Sequence, residues 1–265
     1  MTTAIRSFGE HLRDWRQRRR MSQLDLALDA ETSTRHLSFL ETGRARPSRE
    51  MLLRLARTLD VPLREQNALL LAAGLAPAYG ERSLNDPEMT GVKDAIERLL
   101  AAHEPYPALA VDRHWTILAS NRAVRLLLDG VAPSLFVPPM NALRLSLHPE
   151  GLAPRVLNLV EWRAHLLHRL RQQHAATADP VLAALAAELA GYPVPTGSAA
   201  EHRVPDRAVI VPLRLATARG ELSFISTSTV FGTPLDVTLS EIALETFLPA
   251  DEATAAALAG LPLTG

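Results

Sequence analysis

Along the first seventy-odd residues, apolar positions recur every three or four places in short blocks separated by Ser, Thr, Gly and Pro. That pattern predicts a series of short amphipathic helices. Over residues 5–19, Phe8, Leu12 and Trp15 share one face. Ser22 is placed to cap a second helix, with Leu24, Ala27 and Leu28 at helical spacing. After the turn at 29–32, Ser33 caps a third helix that carries Leu37 and Leu40 inward. Gly43 is placed to end it, because glycine adopts positive φ without a Cβ penalty. Pro47 and Ser48 start a fourth helix with Met51, Leu52, Leu55, Ala56 and Leu59 as its stripe, and residues 63–73 form a fifth that closes at Gly74.

The pattern breaks at 75–87, which holds Pro77, Gly80, Asn85 and Pro87. A helix over 92–103 follows, with Val92, Ile96, Leu99 and Leu100 on one face. The period then becomes strand-like at 108–112 and 115–120, a hairpin joined through Asp112-Arg113-His114. Helical segments are expected at 122–128, 140–147, 155–173 and 180–191, then strands at 208–216, 221–230 and 241–248. In the last strand Ile242, Leu244, Thr246 and Leu248 alternate against Glu241, Ala243, Glu245 and Phe247, and Asp251 caps a short final helix. The chain therefore divides into an all-α domain at 1–76, a linker at 77–91 and an α+β domain at 92–265.

Composition narrows the chemistry. Of 265 residues, 47% are apolar and 22% charged, enough apolar volume for two cores. The absence of cysteine excludes disulfides, thiolate metal sites and thiol nucleophiles. Residues 1–12 contain no apolar signal core, and the most apolar stretch, 68–79, is too short for a membrane span, so a cytoplasmic protein with no membrane partner is expected. The net charge of −1 conceals an asymmetry: residues 1–80 carry 13 Arg and 9 acids, or +4, and the remainder carries −5. Arg16, Arg18, Arg19 and Arg20 fall within seven residues, either as a solvated helix face or as a phosphate-contacting surface.

Two short helices joined by a four-residue turn inside a five-helix set match the geometry of a helix-turn-helix. The run Met21-Ser22-Gln23-Leu24, Ser33 through Arg44 and Pro47-Ser48 resembles the lambda-repressor-like (XRE) DNA-binding domain over residues 6–74. Many members have Gly where this chain has Glu31, which implies a slightly different turn. The recognition helix would begin at Ser33, with Thr34, Arg35, Ser38 and Phe39 on the face away from Leu37 and Leu40. Arg35 suits a bidentate contact to guanine; Phe39 suits a thymine methyl or partial burial; His36 suits either DNA or the neighbouring helix. Gln23 at a helix N-terminus is placed for phosphate, as are Arg44, Arg46 and Arg49. The partner implied is a double-stranded operator read by a homodimer at half-sites roughly 34 Å apart.

Two strands, several helices and three strands is the element order of a PAS-like domain, in which helices cover one face of a five-stranded antiparallel sheet. Four segments, Pro107 to Ala123, Asn141 to Pro149, Val211 to Phe224 and Phe231 to Asp251, resemble the ligand-binding domain of the MmyB-like transcription regulators. That resemblance implies a regulator that binds a small hydrophobic molecule, such as a fatty acid or other acyl chain. Candidate wall residues are Trp115, Phe136, Met140, Leu143, Leu147, Trp162, Leu166, Phe224 and Ile225, each of which also suits an ordinary core. Asn141, Arg144 and His148 are the candidate head-group set, unless Arg144 forms an internal ion pair that orders its helix. The alternatives are a C-terminal domain used only for dimerisation or protein contact, including RNA polymerase, or an enzyme. No nucleophile, phosphate-loop or dinucleotide motif is present, and His165, His168 and His174 lack a carboxylate at metal-ligand spacing. No catalytic residue, metal or cofactor is therefore expected.

Overall fold

Four of the five N-terminal helices start at a serine whose side chain accepts the orphan N–H three residues on. In the computed structural model, which describes residues 6–194, 210–218 and 220–260, these are α1 (Phe8–Arg18) capped by Ser7, α2 (Gln23–Asp29) by Ser22, α3 (Thr34–Glu41) by Ser33 and α4 (Arg49–Thr58) by Ser48. Pro62 precedes α5 (Leu63–Ala72). All five helices end alike. A residue with positive φ follows the C-cap: Arg20 (55°), Glu31 (50°), Gly43 (73°), Asp60 (45°) and Gly74 (76°). The next N–H then returns to a carbonyl five residues back, as in Thr32 to Ala27 at 2.8 Å and Arg44 to Phe39 at 2.8 Å. The turn at Glu31 thus closes as the glycine turns do, and holds a left-handed conformation that costs an L residue about 1–2 kcal/mol.

The head packs around Leu12, Trp15, Leu26, Leu37, Leu40, Leu52, Leu55 and Leu59. The stripe of α2 differs from the expected one. Leu26, Ala27 and Ala30 are buried, whereas Leu24 and Leu28 are 56% and 66% exposed. Positions 24 and 28 share a face with each other, and 200° of helix separates that face from Leu26.

The second unit is built on strands β1 (Ala108–Val111) and β2 (Ile117–Ser120), with α6 (Thr90–Ala102) before them. Next come α7 (Val124–Leu127), α8 (Ala142–Leu147), α9 (Leu159–Thr177) and α10 (Pro180–Ala190). Strands β3 (Leu213–Thr217), β4 (Gly220–Val230) and β5 (Ala243–Pro249) complete the sheet, with α11 (Val237–Ser240) between the last two and α12 (Glu252–Ala259) at the end. Asp251 caps α12 as expected. Residues 208 and 209, placed by the sequence in the third strand, lie outside the described residues.

The strand order is β2-β1-β5-β4-β3, with every pairing antiparallel. The last strand in sequence is therefore the middle one in space. Alternation divides β1 cleanly: Ala108 and Ala110 meet Ile96 and Leu100 of α6. Leu109 and Val111 face the larger core formed with α8, α9 and α10. Small alanines on one side leave room for α6, so the sheet carries a helix on that face as well. Because β5 is central, Leu244, Glu245 and Thr246 are all buried, and only Leu248 of the expected inward set is exposed.

The expected hairpin is also shorter than predicted. Trp115 is not in the strand; it sits in the turn at φ 66°, where the Asp112 carboxylate accepts from the N–H groups of His114 and Thr116, both at 2.8 Å. Residues through Arg82 together with Pro234–Ser240 form one compact unit, and 83–233 with 241 onwards form the other.

Candidate functional site

The exposed side of α3 is made by Ser33, Thr34 and Arg35, with His36, Ser38 and Phe39 half-buried beside them. Arg35 lies over the Phe39 ring, 5.4 Å from its centroid, which orders both side chains on one face. Ser33 is used as the cap of α3, its oxygen accepting from His36 N–H at 3.1 Å. Arg44 and Arg46 are exposed in the loop that follows. Arg49 instead holds the chain after α5, donating to the carbonyls of Ala76 at 2.7 Å and Pro77 at 3.2 Å. Of the arginine cluster, Arg16 and Arg19 are engaged within the head and Arg18 and Arg20 are exposed.

The pitch of this face is set by one buried carboxylate. Glu41, at the end of α3, receives Arg16 of α1 bidentately at 2.6 and 3.0 Å and Gln23 of α2 at 2.8 Å. Its side chain has no exposure. Burial works to raise its pKa, but the bonds from Arg16 and Gln23 outweigh that and hold it below the usual carboxylate range. Three helices are thereby pinned at one point. Gln23, expected at phosphate, has its amide N–H on Glu41, so its side chain is oriented from within the protein.

In the second unit a pocket opens between the helices and the sheet, enclosing about 650 Å³ of space, its open mouth included. Its wall is almost wholly apolar: Trp115 from the hairpin turn, Leu143 of α8, Trp162 and Leu166 of α9, and Phe247 of β5 are representative. The Trp162 indole N–H donates to Ser146 at 2.9 Å, and the Trp115 indole to Gln173 at 2.9 Å. Both rings are locked by these bonds, as expected for aromatic residues with a buried polar handle. One charged pair reaches the wall: Arg169 of α9 binds Glu245 of β5 through two bonds, 3.1 and 2.9 Å, with Arg169 over the Trp115 ring at 4.7 Å.

The pocket brings together Trp115, Leu143, Trp162 and Leu166 of the candidate wall. It leaves out Phe136, Met140, Leu147, Phe224 and Ile225. Leu147 and Phe224 are packed core, and Phe136 lies at the core edge. The candidate head-group set lies elsewhere. Asn141 caps α8, accepting from Leu143 and Arg144 N–H and donating to the His114 carbonyl at 2.8 Å. Arg144 pairs with Glu188 of α10 through two 2.7 Å bonds, which is the internal ion pair weighed against a ligand role. His148 meets the Tyr192 ring edge-on at 5.1 Å. Arg169 and Glu245 were missed by sequence reasoning, although a signal existed. Arg169 falls on the helical stripe of Trp162 and Leu166, and Glu245 lies in a strand with apolar residues of both parities, where a charge implies a buried partner.

A head whose capped third helix presents Arg35, in one chain with a sheet domain that holds an apolar pocket, defines a helix-turn-helix transcription regulator with a ligand-binding domain. The helix-turn-helix family matches residues 12–66, and the MmyB-like transcription regulator ligand binding domain matches residues 92–261. The chain belongs to the MmyB-like transcription regulators. No curated protein matches it. Among solved structures, one described as an RNA-binding Light-Oxygen-Voltage receptor is similar at 14% identity over 98% of this chain, with a TM-score of 0.28. The chain spans 66% of the length of that structure, and a likeness this distant carries no argument about function. The architecture is that of a transcription regulator. Among the described residues, no helix is long and apolar enough to cross a membrane, and no three potential metal ligands converge.

Proposed function

We propose that the chain binds an operator as a homodimer and that an acyl-chain ligand in the second unit changes that binding. The observation that carries the reading is the pocket itself: an apolar slot with fixed indoles, within the residues of the ligand-binding family. Arg35 and Phe39 read bases, with Thr34, Ser38 and His36 beside them, and Arg44 and Arg46 meet phosphate. Gln23 is held against α3 so that its position is fixed before DNA arrives.

The segment between β4 and β5 supports a route for coupling. Residues 234–240 belong to the compact unit of the head, where Val237 is fully buried and its N–H donates to the Gly80 carbonyl at 2.8 Å. Asp236 pairs with Arg82 at 3.2 Å. The two strands that flank this segment carry Ser226, Glu245 and Phe247 of the pocket wall. A ligand that shifts β4 or β5 therefore pulls on a segment anchored in the head, and biases operator affinity by its differential affinity for two states.

The test uses an operator selected from random DNA by the full chain. Arg35→Ala should cost about 1–3 kcal/mol of specific affinity while leaving nonspecific binding nearly intact. A ligand shown to bind the pocket should change wild-type operator affinity about fivefold or more. Unchanged affinity at saturating ligand would sink the coupling, and unchanged affinity in Arg35→Ala would sink the reading of α3.

A further inference from the structure

The polar groups of the pocket wall have a definite charge state. Four of its lining residues carry polar side chains that can serve a ligand: Ser146, Arg169, Ser226 and Glu245. Arg169 and Glu245 cancel one another in a bidentate pair whose side chains are 21% and 4% exposed. Glu245 lies on the central strand, paired on both sides with β1 and β4, and its side chain is buried. A carboxylate brought against this pair would share Arg169 with Glu245 or take it from Glu245, and either way two buried carboxylates have one guanidinium between them.

An uncharged polar group meets the opposite situation. A carboxylate accepts about four hydrogen bonds, and Arg169 uses two on Glu245, so a hydroxyl or amide N–H finds an acceptor. Ser146 accepts from the Trp162 indole and retains its own proton for a carbonyl or hydroxyl oxygen. We propose that this pocket selects an acyl or alkyl chain whose polar end is uncharged, an alcohol, ester or amide, and discriminates against the free carboxylate. The inference rests on the acyl-pocket reading and specifies the ligand class within it.

The experiment titrates the full chain with lauryl alcohol, lauramide and laurate at pH 8, following fluorescence of Trp115 and Trp162 and thermal stability. The alcohol and amide should bind about tenfold or more tightly than laurate, which is the scale of one like-charge contact in a desolvated site. Glu245→Gln should reverse the order, because Arg169 is then released to the laurate carboxylate. If that variant does not fold, the wild-type profile against pH decides: laurate binding should strengthen as the acid protonates, while alcohol binding stays flat, because His165, the titratable neighbour of Arg169 and Glu245, is pushed toward its neutral form by burial and by Arg169. Laurate binding as tightly as the alcohol at pH 8 overturns this inference and leaves the acyl-pocket reading standing. Failure of all three compounds to bind overturns that reading and the inference with it.

Discussion

Replacing Glu41 by Gln keeps the shape of the side chain and removes one charge from the point where α1, α2 and α3 meet. In the native head Arg16 has two bonds to this carboxylate, and the carboxylate is fully buried. Deleting one partner of such a pair leaves the other as a buried charge, at a cost of about 3–5 kcal/mol. That is a large part of the stability of any small domain, which lies at about 5–15 kcal/mol. Hydrogen exchange of the full chain, read by peptide, isolates the head from the rest. Amides in the core of α1, α3 and α4 should exchange roughly two to nearly four orders of magnitude faster in Glu41→Gln, at about 1.4 kcal/mol per decade. Amides of the sheet should be unchanged. The double variant Arg16→Met, Glu41→Leu should recover most of the protection, because an apolar pair removes both desolvation costs together. Protection in Glu41→Gln within about threefold of wild type, under 1 kcal/mol, would refute the reasoning.

The left-handed turn at Glu31 predicts that Glu31→Gly stabilises the head by about 0.5–1 kcal/mol, the relief of strain less the added freedom of the unfolded chain. Faster exchange in α2 of that variant would contradict it. In the second unit, bonds from Arg144, with a further bond from Tyr192, hold the Glu188 carboxyl at about 2, below its ordinary 4.5. A carboxyl depressed on folding contributes fully above the unfolded value and loses that contribution as pH falls through the folded one. The link between α8 and α10 should therefore weaken between pH 4.5 and about 2. Because the pair is about 40% exposed, its worth at neutral pH is about 1 kcal/mol or less. Urea midpoints against pH should lose this acid step in Glu188→Gln; an unaltered profile would show that the pair contributes nothing.

Local signals made most of the head legible. Ser22 and Ser33 cap the helices they are expected to cap, Ser48 caps the helix expected to start there, and Gly43 and Gly74 follow the ends of α3 and α5, because capping acts within a few residues. The run from Leu24 to Leu28 misled because a seven-residue helix offers two plausible apolar stripes, and only tertiary packing chooses Leu26. Element order in the second unit was readable, yet strand neighbours were not: β5 pairs with β1 across more than a hundred residues, and that placement buries Glu245. The same limit explains the site. Arg169 finds Glu245 across 76 residues and Arg144 finds Glu188 across 44, so spacing suggested neither partner. The strand-like period places Trp115 at the start of a strand, whereas the Asp112 side chain folds it into a turn that delivers the indole to the pocket.

The central claim is that the pocket holds a hydrophobic small molecule, and native mass spectrometry of the full chain purified without added lipid tests it most directly. The account predicts a noncovalent adduct of acyl-chain mass that lauryl alcohol displaces and that Leu143→Trp, which fills the slot, abolishes. A wild-type protein found only at its own mass, with no thermal shift from any of the three lauryl compounds, would contradict it.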